Sequence, residues 1–187
     1  MENNAFCDEV VKKAIPFTHM GDLSPLIDSL KDKKIVMLGE SSHGTKEYYQ
    51  WRSAISKELI MNHGFNFISV EGDWPPCQIV NRYIAHDEGI SAYQALLNFS
   101  RWPTWMWANH EMVDLVDWLK THNRSKLDPV GFHGLDVYSL YESIDQVIYQ
   151  LNKIDPSLAT KATQYYSCFE SFRHIQVVHL AYSNSLV

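Results

Sequence analysis

Short apolar runs alternate along the chain with longer amphipathic stretches. Three of the runs, 35–38, 65–70 and 130–135, consist mainly of apolar residues and end next to a glycine or an acid, which is typical of short buried strands. The stretches between these runs have the periodicity of helices. Because strands that alternate with helices favour right-handed crossovers, the pattern predicts an α/β domain with a parallel sheet between helices.

The stretch 45–63 has the clearest helical period, and Gly64 supplies a stop at its end. Its apolar face, with successive spacings of four, three and four, consists of Tyr48, Arg52, Ile55 and Leu59. Arg52 therefore lies on the stripe that packs inward. Because an unpaired buried guanidinium would cost several kcal/mol, we expect Arg52 to meet an anion.

Weaker patterns predict the remaining helices. Ser24 followed by Pro25 is typical of a helix start, with the serine as N-cap and the proline at the first helical position. The other predicted helical stretches are a lead-in over 1–30, then 75–85, 91–99, 109–122, 140–153 and a last helix from 157 onward.

The composition is that of an ordinary globular protein: 45% of the 187 residues are hydrophobic and 20% are charged, which suits a single domain over 1–187. The net charge is −6 without a basic stripe, so neither nucleic acid nor an anionic membrane surface is an expected partner. No run reaches membrane-spanning length, and the N-terminus is too charged for a signal peptide. Cys7, Cys77 and Cys168 lack the spacing of a zinc site or a disulfide framework, so we expect reduced thiols in the cytoplasm.

An acidic residue follows each predicted strand: Glu40, Glu71 and Asp136. Because parallel strands end at the same edge of a sheet, these carboxylates are expected near one another and near His43. Neighbouring carboxylates raise one another's pKa and a nearby arginine lowers it, so such an edge can hold acid and base groups. The sequence therefore predicts an active site at this edge.

Five segments closely resemble the erythromycin esterase family in content, order and spacing. They are Leu38–Thr45, Arg52, Val70–Trp74, Trp105–Trp107 with Trp118 and Leu119, and Gly134–Leu140. The resemblance runs from about Ile15 to Phe172. It implies a three-layer α/β/α fold with a parallel sheet and a helical insertion, of which this chain is expected to be the N-terminal part.

The resemblance also implies a chemistry. His43 matches the histidine regarded as the general base that activates water, and Glu40, Arg52 and Glu71 match other polar residues of the cleft. Asp136 lies in a matched motif and is expected, with Trp105, to contact the substrate. That substrate would be a carboxylic ester or a macrolide lactone. The family is regarded as metal-independent, so neither a metal nor a cofactor is expected.

Structural interpretations of the same residues remain open. In that interpretation His43 caps the turn into the helix, and Glu40, Arg52 and Glu71 form a buried ion network. His133, which alternates with apolar neighbours in a strand, is expected to be a satisfied core histidine. The tryptophans at 102, 105 and 107 either pack in the core or form a wall for an apolar substrate.

Three alternatives to this hydrolase also remain. A serine hydrolase needs a Gly-x-Ser-x-Gly elbow, which neither Ser41 nor Ser42 forms. A metallohydrolase is conceivable because His and Glu ligate zinc, although no His-Glu-x-x-His helix is present. The third alternative is a non-catalytic fragment, since family members are longer and their second half contributes histidines to the cleft.

The last residues, 173–187, are expected to depart from the family pattern. Because this chain is expected to be the N-terminal part of a longer fold, the surface of its sheet and helices that packs against the rest of that fold should be apolar and exposed. We therefore expect the chain to self-associate.

Overall fold

The computed structural model describes residues 2–86 and 89–173 of the chain. The helices are α1 (Glu2–Lys13), α2 (Ser24–Leu30), α3 (Lys46–His63), α4 (Trp74–Ala85), α5 (Ala92–Leu96), α6 (His110–Asn123), α7 (Leu140–Ile154) and α8 (Pro156–Glu170). The strands are β1 (Phe67–Asp73) and β2 (Gly131–Asp136), and short 3₁₀ turns cover Met20–Leu23 and Thr104–Met106. Residues 174–187, including most of the segment expected to leave the family pattern, lie outside the described residues.

The two strands form a parallel sheet, which confirms the predicted α/β class. Phe67 lies opposite Gly131 at one end of the sheet, and Asp73 lies opposite Asp136 at the other. The backbones approach closely near that second end. A Cβ on Gly134 would lie 2.7 Å from the carbonyl oxygen of Asp73, so this position requires glycine.

The strand predicted over 35–38 is not formed. Residues 35–40 run without helix, turn or bend, and their side chains alternate in burial as in a strand. Val36 and Leu38 pack against α2 and α3, while Ile35 and Met37 are 76% and 91% exposed. No backbone hydrogen bond joins this run to any other described residue. The prediction of a strand buried on both faces was wrong because only one face of this run packs against helices and no described backbone pairs with it.

The local sequence predicted most helix ends correctly. The helix α3 begins after Thr45 and ends at Gly64, whose φ of 74° satisfies the left-handed C-cap that glycine favours. The helix α5 is shorter than predicted and begins after Ser91, whose hydroxyl accepts a hydrogen bond from the N–H of Gln94. The helix α2 begins one residue earlier than predicted, so the N-cap is Leu23 rather than Ser24.

The main core lies between the sheet and the helices α4, α5 and α6. Its largest fully buried side chains are Cys77, Val80, Ile84, Leu96, Val116, Leu119 and Phe132. Asn123 makes three buried hydrogen bonds in this layer. Its amide nitrogen donates to the carbonyls of Ile84 and Val130 at 3.1 and 3.0 Å, and its amide oxygen accepts from the N–H of Val130 at 2.8 Å. The start of β2 is thereby bound to both α4 and α6.

The other face of the sheet is open among the described residues. Phe67 and Leu135 are exposed there, and His133 is exposed beside the Phe67 ring, with 6.1 Å between ring centroids. The prediction of a core histidine was wrong because the helices cover the face of β2 that carries Phe132. No helix among the described residues is long and apolar enough to cross a membrane.

Candidate active site

Glu40 lies at the centre of a three-residue polar group. Its Oε1 is 2.6 Å from Nδ1 of His43, and its Oε2 is 2.6 Å from Nη2 of Arg52. The turn after Glu40 returns His43 to the carboxylate, and the inward face of α3 presents Arg52 to it. The side chains of Glu40 and Arg52 are 8% and 20% exposed, so the pair is shielded from water. Glu40 is the anion that Arg52 meets.

The hydrogen bond to Glu40 sets the tautomer of His43. A carboxylate oxygen only accepts, so Nδ1 donates and the neutral ring has its lone pair on Nε2. The His43 side chain is 42% exposed, which leaves the ring open to water. An imidazole held in one orientation with a free Nε2 is the arrangement that a general base requires.

Two buried donors adjoin this group. Nε of Arg52 and the hydroxyl of Tyr49 are buried, and the guanidinium lies 4.8 Å from the Tyr49 ring centroid. Oε2 of Glu40 lacks an aligned hydrogen bond, so its contact with Arg52 is a close ion pair. Burial, and then the Glu40 charge, raises the pKa of Tyr49, so its hydroxyl stays protonated.

Two tryptophans connect the His43 turn to the sheet. The Trp105 ring packs on Gly44, where φ is 81° and a Cβ would lie 2.8 Å from that ring, so only glycine fits. The indole N–H of Trp107 donates to the carbonyl oxygen of Glu71 at 2.7 Å, and its ring centroid is 5.8 Å from the Arg52 guanidinium. Trp107 therefore lies between the charged group on α3 and the end of β1.

Glu71 joins this site through its backbone. Its side chain is exposed and makes no ion pair with His43 or Arg52 among the described residues. The sequence placed Glu71 after the strand, but the strand extends to Asp73, so the Glu71 side chain belongs to the open face of the sheet.

A second charged group occupies the ends of the two strands. Nε of Arg101 donates to Oδ2 of Asp73 at 2.8 Å, and its Nη2 is 4.0 Å from Oδ2 of Asp136. Burial raises the pKa of Asp136, the charges of Asp73 and Glu71 raise it further, and Arg101 opposes them. Sequence reasoning missed Asp73 and Arg101. Asp73 had a signal, since it is a second acid two residues after Glu71, whereas nothing local pointed to Arg101.

A cavity of about 1000 Å³ opens elsewhere, between the Met20–Leu23 turn, α2 and α3. None of the predicted site residues lines it. Within residues 2–86 and 89–173, no three His, Cys, Asp or Glu side chains are grouped as ligands for a metal ion.

The family model for erythromycin esterase matches residues 60–186, well over half of the chain. The matched range includes Glu71, Trp105 and Asp136 and begins after Glu40, His43 and Arg52. It also continues past residue 173, so the expected loss of the family pattern over 173–187 was wrong.

Two curated proteins are similar over part of their length. The chain is 27% identical over 138 residues to erythromycin esterase type II of Escherichia coli, which covers 71% of this chain and 32% of that protein. It is 28% identical over 146 residues to a Bacillus subtilis (strain 168) protein named as a hydrolase, YbfO, covering 76% of this chain and 31% of that protein. The chain thus spans about a third of the length of these relatives.

Solved structures are similar as well. The crystal structure of a succinoglycan biosynthesis protein superposes with a TM-score of 0.71 at 25% identity, covering 86% of this chain and 41% of that chain. The crystal structure of a Bacillus cereus protein gives a TM-score of 0.68 at 25% identity, covering 86% of this chain and 40% of that chain. The fold described above is therefore shared with part of each of these longer chains.

Proposed function

This chain belongs to the erythromycin esterase family, and from that premise we propose that it is a hydrolase of carboxylic esters in which His43 activates water. The observation that carries the proposal is the Glu40 carboxylate, which binds His43 on one side and Arg52 on the other. This arrangement brings a base, its orienting group and a cation into direct contact.

Nε2 of His43 removes a proton from water while the water oxygen attacks the carbonyl carbon of the ester. We assign the stabilisation of the negative charge that develops on the carbonyl oxygen to the nearby Arg52 cation. When the tetrahedral intermediate collapses, the bond to the alcohol oxygen breaks and the imidazolium returns its proton to that oxygen. The acid and the alcohol are released, and His43 is neutral again.

We assign the substrate contacts to Trp105 and Asp136. Trp105 packs on the turn that carries His43, which supports a role as an apolar wall beside the base. Asp136 lies at the end of β2 next to Arg101, where its carboxyl can accept a hydrogen bond. The substrate class we propose is a carboxylic ester or a macrolide lactone, in line with the name of the Escherichia coli relative.

A non-catalytic role is the second candidate. It is favoured by one observation: the chain spans about a third of the length of the curated relatives. In that case the Glu40, His43 and Arg52 group would serve to bind or to stabilise rather than to react.

The test compares the chain with His43→Ala on a simple aryl ester and on a macrolide lactone across pH. A general base contributes about 10² to 10⁴-fold, so His43→Ala should lower kcat by a factor in that range and leave the far-UV spectrum unchanged. His19→Ala, at an exposed histidine, is the matched control and should hydrolyse normally. Equal rates for the chain and His43→Ala would refute the proposed base.

Two further arms separate the other mechanisms. Loss of activity with a chelator, restored by zinc, would indicate a metallohydrolase, and inactivation by a serine-directed acylator would indicate a serine hydrolase. No hydrolysis by any variant would favour the non-catalytic role. We also propose a cytoplasmic location, which is supported by the free thiols of Cys7, Cys77 and Cys168.

A further inference from the structure

Trp107 and Tyr49 border the guanidinium of Arg52 with two aromatic rings. Both residues are buried, and their rings meet edge to face, with 6.2 Å between centroids and 84° between planes. The guanidinium lies 4.8 Å from the Tyr49 centroid and 5.8 Å from the Trp107 centroid. Aromatic rings at such distances attract a cation, so the two rings restrain Arg52 from two directions.

Trp107 is itself anchored to the sheet. The register of the two strands shifts between Val70 and Asp73. Neither Glu71 nor Gly72, which lie between them, is paired with a residue of β2. The carbonyl oxygen of Glu71 accepts the indole N–H of Trp107 at 2.7 Å. A shift of this kind leaves a residue outside the ladder, and here its carbonyl holds the indole.

Gly72 leaves the space that the indole occupies. A Cβ at Gly72 would lie 3.3 Å from Nε1 of Trp107. It would also lie 3.3 Å from the Phe99 ring and 3.4 Å from Sγ of Cys77. An added methyl group would therefore require one of these buried groups to shift.

We propose that Trp107 is a positioning residue that holds the Arg52 guanidinium against Glu40. The inference rests on the proposed function, in which the Arg52 cation stabilises the charge on the carbonyl oxygen. The contact between Nη2 of Arg52 and Oε2 of Glu40 restrains only the tip of a long, flexible side chain. The Trp107 ring, fixed by its bond to Glu71, keeps the rest of the guanidinium in place, so the cation is already oriented when charge develops.

Nuclear magnetic resonance of the guanidinium tests the restraint directly. Rotation about the Cζ–N bonds is slow in a restrained guanidinium, so the Nη groups of Arg52 should give separate proton–nitrogen correlation signals. Arg52→Gln identifies these signals by removing them. Trp107→Phe keeps an aromatic ring but loses the N–H donor, and it should speed the rotation by at least about threefold. Gly72→Ala, which keeps the indole, should speed the rotation as well.

The matched control for these spectra is Trp118→Phe. It makes the same chemical change at a tryptophan that stacks on His122, with 5.0 Å between ring centroids, and lies 5.6 Å from Nζ of Lys57. The Arg52 signals should be the same in Trp118→Phe as in the unmodified chain.

A double-mutant cycle tests whether the effect passes through Arg52. Trp107→Phe should lower kcat about 3- to 30-fold with little change in KM, because a displaced cation weakens transition-state stabilisation rather than substrate binding. When Arg52→Gln is already present, Trp107→Phe should change kcat by less than about twofold. Trp118→Phe should hydrolyse at the normal rate, and far-UV circular dichroism checks that each variant is folded.

Three results would overturn the proposal. Arg52 signals that are averaged in the unmodified chain, or that Trp107→Phe leaves unchanged, would mean that the ring does not hold the guanidinium. A kcat that Trp107→Phe lowers equally with and without Arg52→Gln would show that Trp107 acts by another route. Equal effects of Trp118→Phe would indicate a general loosening of the core. If the unmodified chain hydrolyses no ester, the proposed function fails, while the guanidinium signals still decide whether Trp107 restrains Arg52.

Discussion

Replacing Asn123 by alanine tests how β2 is held in place. The Asn123 side chain is buried, and its removal leaves the N–H of Val130 and the carbonyls of Val130 and Ile84 without their partner. Each unsatisfied buried group costs about 1–3 kcal/mol, and a water that enters the vacated space would recover part of the cost. We therefore expect the free energy of unfolding to fall by about 3–5 kcal/mol, a large share of the about 5–15 kcal/mol typical of a domain.

Urea unfolding, followed by far-UV circular dichroism and by tryptophan fluorescence, measures this loss if the two probes give one transition. Asn62→Ala is the matched control, because the exposed Asn62 amide makes one hydrogen bond, to Glu58, and should lose less than about 0.5 kcal/mol. Asn123→Asp keeps the size but offers no amide donors to the two carbonyls, so it should be at least as damaging as alanine. If Asn123→Ala is no less stable than Asn62→Ala, the three hydrogen bonds do not hold β2.

Three further outcomes follow from the strand ends and the core. Gly134→Ala should lower the free energy of unfolding by more than about 3 kcal/mol in the same urea experiment, because its Cβ would meet the backbone of Asp73. The control Gly39→Ala, which has open space around its Cβ, should change the free energy of unfolding little. Burial, together with the charges of Asp73 and Glu71, raises the pKa of Asp136 on folding, so the native state loses stability as pH rises through the ordinary carboxyl range and up to the raised pKa. Asp136→Asn should therefore be more stable than the unmodified chain at pH 7, and the difference should shrink as the pH is lowered. Burial raises the pKa of Cys77 to about 12, so a thiol reagent should label Cys7 and Cys168 in the native chain and Cys77 only after denaturation; labelling of Cys77 without denaturant would contradict its burial.

The candidate site shows how far sequence reasoning reached. Glu40 and His43 are three residues apart, so their contact depends on one turn, and the period of α3 was enough to place Arg52 facing inward. The contact between Arg101 and Asp73 depends on how the loop after α5 returns to the sheet. No local pattern contains that information, because the two side chains meet only after the core has packed.

The sequence by itself determined the elements whose hydrogen bonds close within one segment. The helix α3, its glycine stop at Gly64 and the Glu40 to His43 turn are of this kind, because their stabilising contacts lie a few residues apart. Tertiary structure decided the features that depend on a distant part of the chain, namely strand pairing and the burial of each face of the sheet. An apolar run becomes a strand only where another backbone supplies its hydrogen bonds. The strands β1 and β2 supply them to each other, whereas 35–38 receives none from any residue that the structure describes. The packing of helices on a single face of the sheet likewise decided that Phe132 is buried while His133 is exposed.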